Sequence, residues 1–195
     1  KLKNVKSILD VIRFGEAVTK KDIAAATGLS FATVSNLCNE LRDLDVIENT
    51  KASTARIGRT PSSISFRRDR FFTVALDFRL ENVIGFAIVT IRNEIYYKTS
   101  LDTTLLASPM EIVRYAKEEF DKTVKMLRLE NATFLRVGAA VPAIHDAIDG
   151  RLKTSTIATL DNFPLKDALQ TVFGIRAYVD NVTKFSAFSV YSRTH

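Results

Sequence analysis

A chain of 195 residues has room for one ordinary domain or two small ones, and its 46% hydrophobic and 26% charged content suits a packed core rather than a disordered chain. No apolar run approaches the ~20 residues that span a bilayer, and the basic start KLKNVKSILDVIRF carries Asp10 and a helical period onward, which argues against a signal peptide. The net charge is +6, and residues 1–70 hold 13 Lys and Arg against 8 Asp and Glu, so most of the excess lies in the first third.

A local basic excess suits an anionic partner, most often nucleic acid. The lone cysteine, Cys38, excludes an internal disulfide and a Cys-rich zinc site, and it fits a reducing cytoplasm. It follows Val34 by one helical turn and reads as a small buried filler. The first residue is Lys rather than Met, which implies a trimmed chain or a fragment.

Val5, Ile8, Leu9 and Ile12 recur at helical spacing and predict a first helix. After a break at Gly15 and Glu16, Thr19 stands three residues before Asp22 in a capping arrangement. Ile23, Ala24 and Ala26 carry a short helix to Gly28, a residue suited to a tight turn or C-cap. Ser30 caps a third helix whose buried stripe is Val34, Leu37, Cys38 and Leu41. Helix, short turn, helix is the helix-turn-helix pattern. Two short strands, Val46 with Ile47 and Ser63 to Phe66, flank ENTKASTARIGRTPS, a polar and basic stretch with Gly58 and Pro61. They predict a hairpin with a mobile tip, a wing beside the third helix.

The third helix turns short polar side chains away from its apolar stripe, where a solvated helix usually shows Lys and Glu. In the major groove such groups read base edges. The candidates are Ser30, Phe31, Thr33, Ser35, Asn36 and Asn39. Thr33 or the Phe31 edge suits a thymine methyl, and Asn36 suits a bidentate adenine contact. Lys20, Lys21 and Lys51 are candidates for phosphates, and Arg56 and Arg59, either side of Gly58, for a narrow minor groove. The alternatives are a polar helix face in water and a merely solvated loop tip.

RRDR at residues 67–70 marks a hinge, and β-rich runs follow it. FFTVALDF, VIGFAIVTI and EIYYKTSL predict three strands in a meander. Pro109 to Leu127 predicts an amphipathic helix with Ile112, Val113, Tyr115, Ala116, Phe120, Val124 and Leu127 on its apolar side. TFLRVGAAVPA predicts a strand, AIDGRL a turn at Gly150, PLKDALQTVFG a helix ending at Gly174, IRAYVDN a strand and VTKFSAFSVYS a further helix. The pattern by itself says α/β.

Together, TKKDIAAATGLSFATVSNLCNEL and the IGRTPSSISF wing resemble the ROK family of transcriptional regulators, in which a winged helix-turn-helix precedes a domain built like a sugar kinase. The family's wing commonly reads Gly, Arg, Arg or Lys, then Pro. Gly58, Arg59 and Pro61 match, and Thr60 departs. The order of elements after residue 70 resembles the first lobe of the actin-like, ribonuclease-H-like ATPase fold. The resemblance therefore implies a winged helix-turn-helix DNA-binding domain over residues 1–68 and an incomplete sugar-kinase-like lobe over residues 69–195. The family's second lobe and zinc-binding cysteine cluster normally lie beyond residue 195, so the chain is expected to be either truncated after the first lobe or naturally short.

Phosphoryl transfer needs a phosphate cradle, metal-binding carboxylates and a base. Family kinases open this domain with Asp-x-Gly-Gly-Thr. Here Asp77 is followed by Phe78, Arg79, Leu80 and Glu81, so both glycines are gone and Glu81 would repel phosphate. The family's Asn-Asp pair, whose Asp is the catalytic base, falls on Asn181 and Val182, and valine accepts no proton. Asp180 precedes Asn181 and points to the other side of the strand. Ala143 replaces the family's glycine after Pro142, and the sugar-contacting asparagine falls near Thr156 and Ile157. These departures imply no enzyme, no catalytic residue, no cofactor and no metal. Thr154, Ser155, Thr156, Asn181 and Lys184 lie near the expected cleft, either as ordinary loop polars or, for Thr156 and Asn181, as effector contacts. His145 reads as a solvated loop histidine.

The expectation is a cytoplasmic DNA-binding regulator, a repressor of carbohydrate-related genes. It would act on double-stranded DNA as a homodimer or higher oligomer with a sugar effector and no membrane. The alternatives are a ROK-type carbohydrate kinase with an appended DNA-binding module and a winged helix that binds protein instead of DNA.

Overall fold

A computed structural model describes residues 1–15, 18–51, 62–145, 152–155 and 160–186. The chain forms two compact units, Lys1–Arg70 and Phe71–His195.

The first unit contains α1 (Leu2–Phe14), α2 (Lys20–Thr27), α3 (Phe31–Asp43), β1 (Ile47–Lys51) and β2 (Ser62–Phe66). The starts of α2 and α3 have local causes. Thr19 and Asp22 form a reciprocal capping box on α2, and the Ser30 hydroxyl accepts from the Thr33 N–H at the start of α3. Gly28 ends α2 with φ 70°, a left-handed conformation that costs glycine little and other residues more. α3 buries Val34, Leu37, Cys38 and Leu41, the whole expected stripe. These join Ile8, Ile12, Ile23, Ile47, Ile64 and Phe66 in the core of this unit. Full burial of such a side chain contributes roughly 1.5–3 kcal/mol.

The hairpin arms are longer than the apolar residues suggest. β1 runs on to Lys51, paired antiparallel from Ile47 opposite Phe66 to Lys51 opposite Ser62. One face of a hairpin packs inward, so Glu48 and Asn49 need only backbone pairing to stay in the strand. Val18, ahead of α2, also bridges Ile64, whose N–H donates to the Val18 carbonyl at 2.7 Å. Nothing in the local sequence announces that contact. The wing tip, with Arg56, Gly58, Arg59 and Pro61, lies outside the described residues.

The second unit holds β3 (Phe71–Leu80), β4 (Val83–Thr90), β5 (Ile95–Asp102), α4 (Pro109–Met126), β6 (Thr133–Val141), β7 (Ala143–His145), β8 (Leu152–Ser155), α5 (Leu165–Phe173) and β9 (Ala177–Asn181). Five strands form one mixed sheet in the order β5-β4-β3-β6-β9. The meander β3 to β5 is antiparallel, and β6 and β9 join parallel to β3 through helical crossovers. Asn82 and Asn93 take positive φ between the meander strands, where asparagine tolerates the left-handed region. This α/β order agrees with the order expected from the sequence.

Alternate residues of β3, namely Phe72, Val74, Leu76 and Phe78, are buried with Val113, Ala116 and Phe120 of α4 and Leu165, Ala168 and Leu169 of α5. Thr123 of α4 is buried too, although its hydroxyl kept it off the expected apolar side. Thr154 and Ser155, expected in a loop, belong to β8, which pairs with β7 in a small hairpin. Only four residues long, β8 carries no alternation that would mark it in the sequence. No helix among the described residues is long and apolar enough to cross a membrane.

Candidate nucleic-acid interface and a cleft in the second unit

On α3 the short polar side chains divide into two groups. Phe31 and Asn36 are exposed, as is Lys21 on α2. Among the described residues the Asn36 amide has no side-chain hydrogen-bond partner. Ser30 and Thr33 are engaged locally, their hydroxyls 2.8 Å apart. Ser35 and Asn39 face α2 in part. Lys20 Nζ donates to Ser35 Oγ at 3.0 Å and to Asn39 Oδ1 at 3.2 Å. Arg42 Nη2 donates to the same Asn39 Oδ1 at 2.9 Å.

The cluster of Lys20, Ser35, Asn39 and Arg42 ties the first residue of α2 to successive turns of α3. Sequence reasoning singled out three of these residues for DNA and passed over Arg42. The signal was present: Ser35 and Asn39 stand four apart on one helix face, and Arg42 lies three further on. Below this face Cys38 is buried, and burial pushes its thiol pKa up against the pull of Lys20 and Arg42. Lys51 ends β1, and only its backbone is described.

In the second unit, Asp77, Arg79, Ala140, Val182, Phe185 and Ser186 line a cleft of about 340 Å³. Asp77 stands opposite Gly85 on β4 and Ala140 on β6, and Ala140 stands opposite Asp180 on β9. Register partners share a sheet face, so the two carboxylates lie on one side of the sheet, separated by Ala140. A Cβ added at Gly85 would come 3.2 Å from the Asp77 Cβ, so the small residue leaves Asp77 its space.

Each carboxylate has its own cation. Arg79 Nε donates to Asp77 Oδ2 at 2.8 Å, and the Arg79 backbone N–H donates to Asp77 Oδ1 at 3.1 Å. This bonding to Asp77 raises the Arg79 pKa. Lys184 Nζ lies 3.1 Å from Asp180 Oδ1, and the Tyr178 hydroxyl donates to Asp180 Oδ2. Burial pushes the Asp180 carboxyl upward, but the Asn181 N–H, Lys184 and Tyr178 together hold it below its ordinary value.

Asn181 is bonded through both ends of its amide. Its Nδ2 donates to the Ala143 carbonyl at 2.8 Å, and its Oδ1 accepts from the Thr183 N–H at 2.7 Å. It fastens the end of β9 to β7 and opens the helical turn over residues 182–186. Thr156 lies outside the described residues. No group of three or more His, Cys, Asp or Glu suited to a metal occurs among the described residues.

The chain is 23% identical over 181 residues to the xylose repressor of Caldicellulosiruptor bescii, covering 93% of this chain and 44% of the repressor. It is 22% identical over 189 residues to the protein y4fQ of Sinorhizobium fredii, covering 96% of this chain and 48% of that protein. The chain spans about half the length of the curated relatives it matches. No family model matches it. Its fold matches that of a ROK family transcriptional regulator, a homolog of the E. coli MLC protein, with a TM-score of 0.65 at 14% identity over 92% of this chain and 46% of that one. Over nearly its whole length the chain resembles a xylose repressor in sequence and a ROK family transcriptional regulator in fold.

Proposed function

We propose that the chain is a DNA-binding transcriptional regulator, a repressor of carbohydrate-related genes. Residues 1–68 would be a winged helix-turn-helix, and residues 69–195 a catalytically degenerate sugar-kinase-like lobe serving effector binding and dimerisation. One observation carries the reading. α3 starts at a capped turn, is held along one side by Lys20, and offers Phe31 and the unpartnered amide of Asn36 outward. A helix placed in this way suits the major groove, with its first turns toward base edges.

The residues then divide by task. Ser30, Phe31, Thr33, Asn36 and Asn39 face bases, while Lys21, Lys51, Arg56 and Arg59 serve phosphates or the minor groove. Lys20 braces α3 and holds Ser35 and Asn39. The partner is double-stranded DNA, bound by a homodimer or higher oligomer. An effector, a sugar, would favour one dimer geometry and so set the distance between the two recognition helices. Its place would be the cleft beside Asp77 and Val182, with Asn181 holding the Ala143 loop and Thr156 as a further contact. A non-enzymatic role is supported by the ion pair of Asp77 with Arg79 and by Val182 in the same cleft.

Fluorescence-anisotropy binding of the chain to sheared genomic DNA from its own source, at two salt concentrations, tests the reading, with sequencing of the retained fragments. Enrichment of a palindromic site with steep salt dependence is expected. No binding at low salt would assign the face of α3 to a protein partner.

A further inference from the structure

We propose that Lys20 and Arg42 fix Asn39 as a donor-only reader, so that α3 selects guanine at the base pair Asn39 meets. The inference rests on the DNA reading above and adds to it which base chemistry one position takes.

A side-chain amide has one acceptor oxygen with two lone pairs and one NH2 group with two donors. In Asn39 both lone pairs are taken, one by Lys20 Nζ at 3.2 Å and one by Arg42 Nη2 at 2.9 Å. Lysine and arginine donate and never accept. The orientation of the amide therefore follows from its neighbours: exchanging oxygen and nitrogen would set an NH2 group against two cations with no acceptor between them. What remains to face a partner is Nδ2 with its two N–H groups. Lys20 is itself held in place, because it also donates to Ser35 Oγ one turn earlier on α3.

Asn36 differs. Its amide has no partner among the described residues, so it keeps both a donor and an acceptor. Such an amide pairs with adenine bidentately, donating to N7 and accepting from the N6 amino group. Asn39 has no acceptor left to meet N6, and the amino group of cytosine would oppose its N–H groups. Guanine presents two acceptors in the major groove, N7 and O6, and so can take both N–H groups, where thymine offers only O4 beside its methyl. Two asparagines three residues apart on one helix thus take different bases because of what stands behind them.

The test is selection of bound duplexes from a randomised library by the full chain, comparing wild type with Asn36→Ala, Asn39→Ala, Asn39→Asp and Lys20→Met. Wild type should prefer guanine by about fivefold or more at the position whose preference disappears in Asn39→Ala. That position should differ from the adenine lost in Asn36→Ala. Lys20→Met returns one lone pair to Asn39 and should move its position toward adenine. Asn39→Asp presents an outward acceptor and should move it toward cytosine. Adenine, or no preference, at the Asn39 position of the wild type would overturn the inference while leaving DNA binding intact. The two Asn39 variants keep it decidable if Lys20→Met fails to fold. A wild type that enriches no sequence overturns the DNA reading itself, a result distinct from enrichment with the wrong base.

Discussion

Arg79 lies two residues after Asp77 on β3, and its Nε donates to Asp77 Oδ2 at 2.8 Å. Side chains two apart on a strand share a face, so the pair follows from the sequence spacing once β3 is known. On the reading proposed above, the Arg79 guanidinium occupies the carboxylate that would serve a nucleotide-bound metal, and Arg79 stands where the resembled kinases have a glycine. A coupled assay over a panel of sugars should therefore show no sugar-dependent ATP turnover above background. Turnover that Asp77→Ala abolishes would restore the kinase alternative.

Asn36→Ala should weaken specific DNA binding by ~1–3 kcal/mol, the range for one bidentate base contact, and leave binding to unrelated DNA unchanged. Lys21→Ala should act on both alike and lower the salt slope by about one. Anisotropy titrations at several salt concentrations on specific and scrambled duplexes separate the two. Identical effects of both variants would remove the assignment of this face.

The capping box ties the stability of the first unit to pH. The Thr19 hydroxyl, and then the Thr19 N–H, hold the Asp22 carboxyl below its ordinary value. A lowered carboxyl pKa contributes stability above the unfolded value of ~3.9, and the contribution is lost as pH falls through the folded value. Asp22→Asn should therefore lower the stability of α2 at neutral pH and flatten its acid dependence. Thr19→Ala should cost about 0.5–2 kcal/mol as the loss of an N-cap. Urea titrations followed by helical circular dichroism between pH 3 and 7 check both.

Cys38 is buried, and its thiol pKa is raised by that burial. Native protein should therefore react slowly with an aromatic disulfide reagent near pH 8, and denaturant should release a fast reaction. Fast labelling of folded protein would contradict the packing of α3.

Phe72 is fully buried and meets Tyr96 and Phe134 with ring centroids 5.1 and 5.8 Å apart. Phe72→Ala should cost roughly 3–5 kcal/mol, the range for removing a packed phenyl from a core. A loss below 1 kcal/mol in chemical denaturation would mean that the sheet does not rely on this face.

The elements were legible where a chemical period or a terminator is local. The stripe from Val34 to Leu41, the box of Thr19 and Asp22, and the glycines at 28 and 174 act over a few residues, and the structure has each of them. The alternation in FFTVALDF likewise reports a strand with one face buried. β8 was not legible, because pairing with β7 rather than any pattern of its own makes it a strand.

The site residues divide on the same line. Sequence by itself determined which side chains stand on α3, since helical spacing suffices, and only the resemblance to the ROK family marked the residues after Asp77 as standing in place of glycines. Only the tertiary structure decided that Lys20 reaches across to Ser35 and Asn39, that Asn181 is spent on Ala143, and that Asp77 and Asp180 share one face. Those relations depend on where separate elements meet, and a hydrogen bond is set by distance and angle in space, which no residue carries in its identity.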